Sequence, residues 1–121
     1  MDKNMVLSLS PDQQALASRE IALRNSGMKV ISVMSPVEAR FEIEMGRCGI
    51  FLVCYRLSLA AVDDLTRLFR RFCPEGRIIF VAQSPEDKKV PIETDIVLPE
   101  SLGPEQILRS LSDAPNAGAA A

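Results

Sequence analysis

Residues 50–55 read Ile-Phe-Leu-Val-Cys-Tyr, a nearly unbroken apolar run. A strand with one face in water alternates apolar and polar residues. A strand covered by helices on both faces has no side to keep polar. The run therefore predicts a central strand of a parallel sheet, and the rest of the chain can be read outward from it.

Downstream, residues 59–72 carry Val62, Leu65, Phe69 and Phe72 on one helical stripe. Asp63 and Asp64 stand near the start of that helix and Arg70 and Arg71 near its end, which suits the helix dipole. Pro74-Glu75-Gly76 turns the chain into a strand over residues 77–82. A fifth strand is predicted over 95–98, and a last helix follows Pro104 with Ile107, Leu108 and Leu111 as its apolar residues. Only residues 83–94 join the last two strands, about the minimum for a parallel crossover. Ser84-Pro85-Glu86-Asp87 can start a helix there, but Pro91 stops it, so this fourth helix is predicted to be shortened or absent.

Upstream, residues 29–34 form a strand, and Ser35-Pro36-Val37-Glu38 opens a helix running to residue 45. The first strand covers residues 5–9. Ser10-Pro11-Asp12-Gln13 then supplies Ser10 as N-cap and Pro11 as first helical residue, for a helix ended by Gly27. Its inner stripe takes in Ala15, Leu16, Ala22 and Leu23, with Arg19 laying its stem along the core edge. Strands alternating with helices imply right-handed crossovers and a three-layer, doubly wound α/β sheet of five parallel strands. Residues 1–113 make one domain. The tail 114–121, Ala-Pro-Asn-Ala-Gly-Ala-Ala-Ala, has little to bury and is predicted to be disordered.

Composition narrows the function classes. At 121 residues, 47% hydrophobic and 25% charged, the chain can bury a core without disulfides or metals. No apolar run approaches the roughly 20 residues that span a bilayer, and Met-Asp-Lys-Asn-Met-Val-Leu-Ser-Leu-Ser offers no signal-peptide core, so the expected compartment is the cytoplasm. Cys48, Cys54 and Cys73 lack metal-site spacing and read as reduced, partly buried thiols. The absence of histidine removes Ser-His-Asp and Cys-His catalysis. A net charge of −2 gives no global attraction to nucleic acid or anionic membrane. Arg67, Arg70, Arg71 and Arg77 come without interleaved stacking aromatics and read as a solvated helix end.

Four stretches, VLSLSPD at 6–12, GIFLVCYRLS at 49–58, RIIFVAQS at 77–84 and DIVLPES at 95–101, resemble the receiver domain of bacterial response regulators, across residues 5–111. The resemblance implies a flavodoxin-like strand order 2-1-3-4-5. Members of that family hold Mg²⁺ with an acidic pair after the first strand and phosphorylate an aspartate ending the third. A Ser or Thr ends their fourth strand and a Lys before a Pro ends their fifth. By that resemblance the acidic pair falls on Ser8 and Leu9, the phosphoacceptor on Cys54, the hydroxyl on Ala82 and the lysine on Leu98, with the proline kept as Pro99. Every chemical position is thus substituted. The family's proline bond also implies a cis Leu98–Pro99 peptide.

The expected function is a non-enzymatic, receiver-like signalling module that works without aspartyl phosphorylation, with no metal or cofactor. Its expected partner is a protein, with a second copy of the chain as one option, and not nucleic acid or membrane. In residues 36–45, Ala39 and Ile43 fall on one side, while Val37, Phe41 and Met45 make a stripe on nearly the opposite side. Either that second stripe packs against a neighbouring element or it is an exposed docking surface. The alternative function is a small-ligand or redox sensor in the strand-end crevice, with Cys54 as reactive group.

Overall fold

The protein is described here by a computed structural model covering residues 1–84, 86 and 89–119, with side chains through Leu111. The elements are β1 (Asp2–Leu9), α1 (Gln13–Asn25), β2 (Lys29–Val33), α2 (Pro36–Met45), β3 (Cys48–Cys54), α3 (Leu59–Phe72), β4 (Arg77–Ala82), β5 (Ile96–Pro99), a 3₁₀ turn (Glu100–Leu102) and α4 (Pro104–Ala119). All neighbouring strands are parallel, in the order β2-β1-β3-β4-β5. The apolar run sits where its composition requires: every residue of β3 is buried.

Strand alternation splits the core into two layers. Leu7, Leu9, Phe51, Val53, Phe80 and Ala82 face α2 and α3, which supply Ala39, Ile43, Val62, Leu65 and Phe69. Val6, Ile50, Leu52, Cys54, Ile79 and Val81 face α1 and α4, which supply Leu23, Ile107 and Leu111. β1 approaches β3 closely at Gly49, where a Cβ would lie 2.8 Å from the Asp2 carbonyl oxygen. Only glycine lets the two backbones meet there.

Three sequence expectations need correction. The cap of α1 is Asp12, whose carboxylate accepts from the Gln14 and Ala15 amides at 3.0 and 3.3 Å. Ser10 instead remains fully buried, its amide donating to the Val33 carbonyl at 3.2 Å in continuation of β1, and its Oγ accepts the Asp12 amide at 3.1 Å. A charged oxygen serving two free amides prevailed over a hydroxyl. On α3, Phe72 is 47% exposed and the buried stripe is completed by Cys73, because Val62, Thr66, Phe69 and Cys73 hold the inward line. The Leu98–Pro99 peptide is trans, since no peptide among the described residues is cis. Pro99 stays in register with Ala82 and enters the 3₁₀ turn from an extended conformation, φ −72° and ψ 141°, so the trans bond lets β5 run on into the turn.

Between β4 and β5 no helix stands among the described residues, as the short connection predicts; Pro85, Asp87 and Lys88 of the expected stub lie outside them. One consequence is visible on β5. Val97 points toward the α2/α3 layer but remains 44% exposed, because no helix covers that end of the sheet among the described residues. Of the tail expected to be disordered, residues 114–119 continue the α4 backbone, and 120–121 lie outside the described residues.

Candidate functional site at the strand ends

The carboxyl ends of β1, β3, β4 and β5 are where open α/β sheets place ligands. The five positions that the resemblance assigns to the site do not converge there. Ser8, Cys54 and Leu98 lie on the α1/α4 side of the sheet, whereas Leu9 and Ala82 face α2 and α3. Ser8 is also too deep: it pairs with Ser32 and Leu52, two residues before the β3 end, and its buried Oγ has no partner among the described residues. The side chain that meets Cys54 is Ser10, just past the end of β1, whose Oγ accepts from the Cys54 thiol at 3.6 Å. Both residues are fully buried. Local sequence reads Ser10 as a helix cap, whereas the parallel pairing brings it to β3.

Above this sealed contact lies a charged network that the sequence pattern did not reveal. Asp12, Arg56 and Glu100 come from three separate loops. Arg56 lies 3.6 Å from the Asp12 carboxylate and donates to both Glu100 oxygens at 3.2 and 3.3 Å. Tyr55 donates its hydroxyl to Glu100 at 2.9 Å, and the Arg56 guanidinium stands 5.2 Å from the Tyr55 ring centre. Arg19, buried in α1, reaches the same carboxylate only at 3.6 Å. Burial works most strongly against the charge on Arg56, but Glu100, Tyr55 and Asp12 together outweigh it and raise its pKa. The hydrogen bond to Glu100 raises the Tyr55 pKa, so the phenol stays protonated.

This donor set does not fit Mg²⁺. That ion requires several hard oxygen ligands in octahedral array. The side chains at the β3 end are a thiol and a hydroxyl bonded to each other, and the two nearby carboxylates already serve backbone amides, Tyr55 and Arg56. The three cysteines are buried free thiols. Burial pushes the Cys48 thiol up to about 11 and also raises Cys73.

Elsewhere, α2 leaves one of its two stripes in water. Ala39 and Ile43 are buried, while Val37, Phe41 and Met45 are 78, 62 and 52% exposed. Arg70 is not simply part of a solvated helix end. It donates to the Gly76 carbonyl at 2.6 Å and to the Asp95 carboxylate at 2.7 Å, and Asp95 in turn accepts the Ile78 amide at 2.8 Å. No helix among the described residues is long and apolar enough to cross a membrane.

Layer order, parallel register and strand-end crevice define a doubly wound, flavodoxin-like α/β protein. Among solved structures the chain resembles response-regulator receivers. A receiver protein from Sinorhizobium medicae WSM419 matches with TM-score 0.76 at 17% identity, over 93% of this chain and 94% of that one. CheY4 of Vibrio cholerae matches with TM-score 0.76 at 17% identity, over 89% and 95%. The BeF3-activated DrrB receiver domain matches with TM-score 0.74 at 15% identity, over 89% and 93%. At these identities the likeness establishes the receiver fold. No protein-family model and no curated protein matches the sequence.

Proposed function

We propose that this chain is a non-enzymatic signalling module that transmits through protein contact, without aspartyl phosphorylation. The observation that carries the reading is the sealed end of β3: Cys54 is fully buried against Ser10. An acyl phosphate formed there would need a carboxylate nucleophile, a divalent cation and a lysine to offset the new charge. By the resemblance, the acceptor position corresponds to the Cys54 thiol and the lysine position to Leu98. The partner surface in this reading is the α2 stripe of Val37, Phe41 and Met45, an apolar face that the fold leaves in water.

Two measurements test it. Incubation with acetyl phosphate and Mg²⁺ should add no hydroxylamine-labile mass to the intact chain; a phosphoryl group mapped to the β3 end overturns the reading. A photo-crosslinker placed at Val37 should trap a protein in the native cell, and Phe41→Glu should abolish that product. Sedimentation of the purified chain distinguishes a second copy from a different protein. Phe41 is exposed, so this substitution should change stability by less than about 0.5 kcal/mol. A loss of several kcal/mol would make Phe41 a core residue and remove the surface.

A further inference from the structure

A crevice of about 320 Å³ opens between the first turns of α1 and α4. Its floor is apolar, built from Val81, Leu98, Pro99 and Ile107. Arg19 borders it from α1, although the residue is only 5% exposed. Its Nη1 is sealed from solvent and finds no hydrogen-bond acceptor among the described residues, and its Nη2 stands 3.6 Å from Glu100, outside hydrogen-bonding distance. A guanidinium carries five N–H donors. Burying one with so few acceptors is costly unless something else completes its shell.

Glu100 cannot complete it. That carboxylate already accepts from Tyr55 at 2.9 Å and from Arg56 at 3.2 and 3.3 Å, which draws it away from Arg19. The crevice also receives the positive ends of two helices. The α1 end is satisfied by Asp12, while α4 begins at Pro104 after Gly103, whose φ is +79°.

We propose that this crevice binds a small organic acid, the Arg19 head turning from beneath the rim to meet the acid's carboxylate and the acid's apolar body resting on Val81, Leu98, Pro99 and Ile107. Arg19 and Arg56 on the rim are balanced by Asp12 and Glu100, so the crevice tolerates one added negative charge better than two. A phosphate dianion would meet Asp12 and Glu100 on the same rim and find no donors on the apolar floor. The site goes beyond the protein-contact reading and is independent of it, because the α2 stripe belongs to the opposite helical layer.

Titration of the full chain with benzoate, followed by heteronuclear NMR, tests the proposal against two controls, benzamide and inorganic phosphate. Benzoate should give saturable shifts confined to the starts of α1 and α4 and to the β5 end. Benzamide, its neutral isostere, should bind at least tenfold more weakly because it lacks the charge-assisted hydrogen bonds to Arg19, and phosphate at least tenfold more weakly because Asp12 and Glu100 repel its second charge and the apolar floor gives it nothing. Arg19→Met keeps the apolar stem and should cost benzoate at least tenfold in affinity. Ser18→Trp, at the exposed rim of the crevice, should block binding without touching the core and serves if the Arg19 variant fails to fold. Phe41→Glu should leave benzoate affinity unchanged. No saturable benzoate binding, equal binding of benzamide, tighter binding of phosphate, or undiminished binding by either crevice variant overturns the proposal.

Discussion

Cys54→Asp tests the proposed reading of the strand end most directly, because it puts a carboxyl at the β3 end and changes nothing else. The side chain would sit at a fully buried position between Leu52 and Val81 neighbours, with the Ser10 hydroxyl as its nearest polar group. A carboxyl so placed is driven toward its neutral form, and a rise of about 3 pKa units is ordinary for such burial. With an unfolded value near about 3.9, the folded value would then lie near about 7. A raised folded pKa contributes stability that is fully present below the unfolded value and lost as pH rises through the folded one. Each unit corresponds to about 1.4 kcal/mol, so the ionisation penalty should grow by about 2 kcal/mol between pH 5 and pH 7. Burying the neutral carboxyl adds a pH-independent cost of about 1–3 kcal/mol. Urea denaturation of variant and wild type at pH 5, 6 and 7 measures both parts. The variant should also stay unmodified by acetyl phosphate and Mg²⁺, since no group beside it can hold the cation. A stability difference that is flat with pH would mean that the new carboxylate remains ionised at low cost, with water or Arg56 reaching it, and the sealed-site argument would fail.

Removing the Arg70 head by Arg70→Met should cost about 2–3 kcal/mol, because charge-assisted bonds to Asp95 and to the Gly76 carbonyl are lost together; a change below about 0.5 kcal/mol, the size ordinary surface substitutions produce, would place Arg70 among the solvated charges. Thiol reagents at pH 8 should label none of the three cysteines rapidly in the native protein and all three in urea; rapid native labelling of Cys54 would favour the redox-sensor alternative. The Glu20 carboxyl is lowered first by its hydrogen bond from Ser32, at 2.6 Å, and then by Arg24. Its stabilising contribution is present above its ordinary pKa and lost as pH falls through the lowered one, so Glu20→Gln should flatten the acid limb of the stability profile, and an unchanged limb would exclude that contribution.

The fold was legible where local pattern and tertiary demand coincide. The all-apolar β3, the α3 span of Leu59–Phe72 and the β4 span of Arg77–Ala82 follow from periodicity and turn residues alone. The errors arise where two local solutions compete or where a distant strand decides. Ser10 and Asp12 can both cap α1, and the choice turned on Ser10 being held by β2 and β3. Phe72 and Cys73 can both close the α3 stripe, and the smaller residue took the buried place. The proline of Leu98–Pro99 does not by itself specify the isomer of its bond. Of the site, residue types gave the apolar and thiol character of the strand ends at Leu98 and Cys54. Its β1 component was misplaced because the side-chain alternation of β1 and its register against β3, not residue type, choose which side chain reaches the β3 end.

Residue pattern alone does not show that carboxylates remain at the strand ends, answered by a cation from the chain itself. Asp12 follows β1, Glu100 follows β5, and Arg56 follows β3 between them. The three loops are thereby tied by one guanidinium that is present at every moment, rather than by an ion and a phosphoryl group that come and go. Arg56 is 36% exposed, so each pair is a modest electrostatic contribution screened by water. The geometric consequence is larger than the energy. A change of state at this edge would have to displace Arg56 from both carboxylates, and the neighbouring Arg19, short of acceptors and bordering the crevice, is the group on which an arriving carboxylate could exert that leverage. The crevice and the α2 stripe lie in opposite layers of one sheet, with the fully buried β3 packed against both.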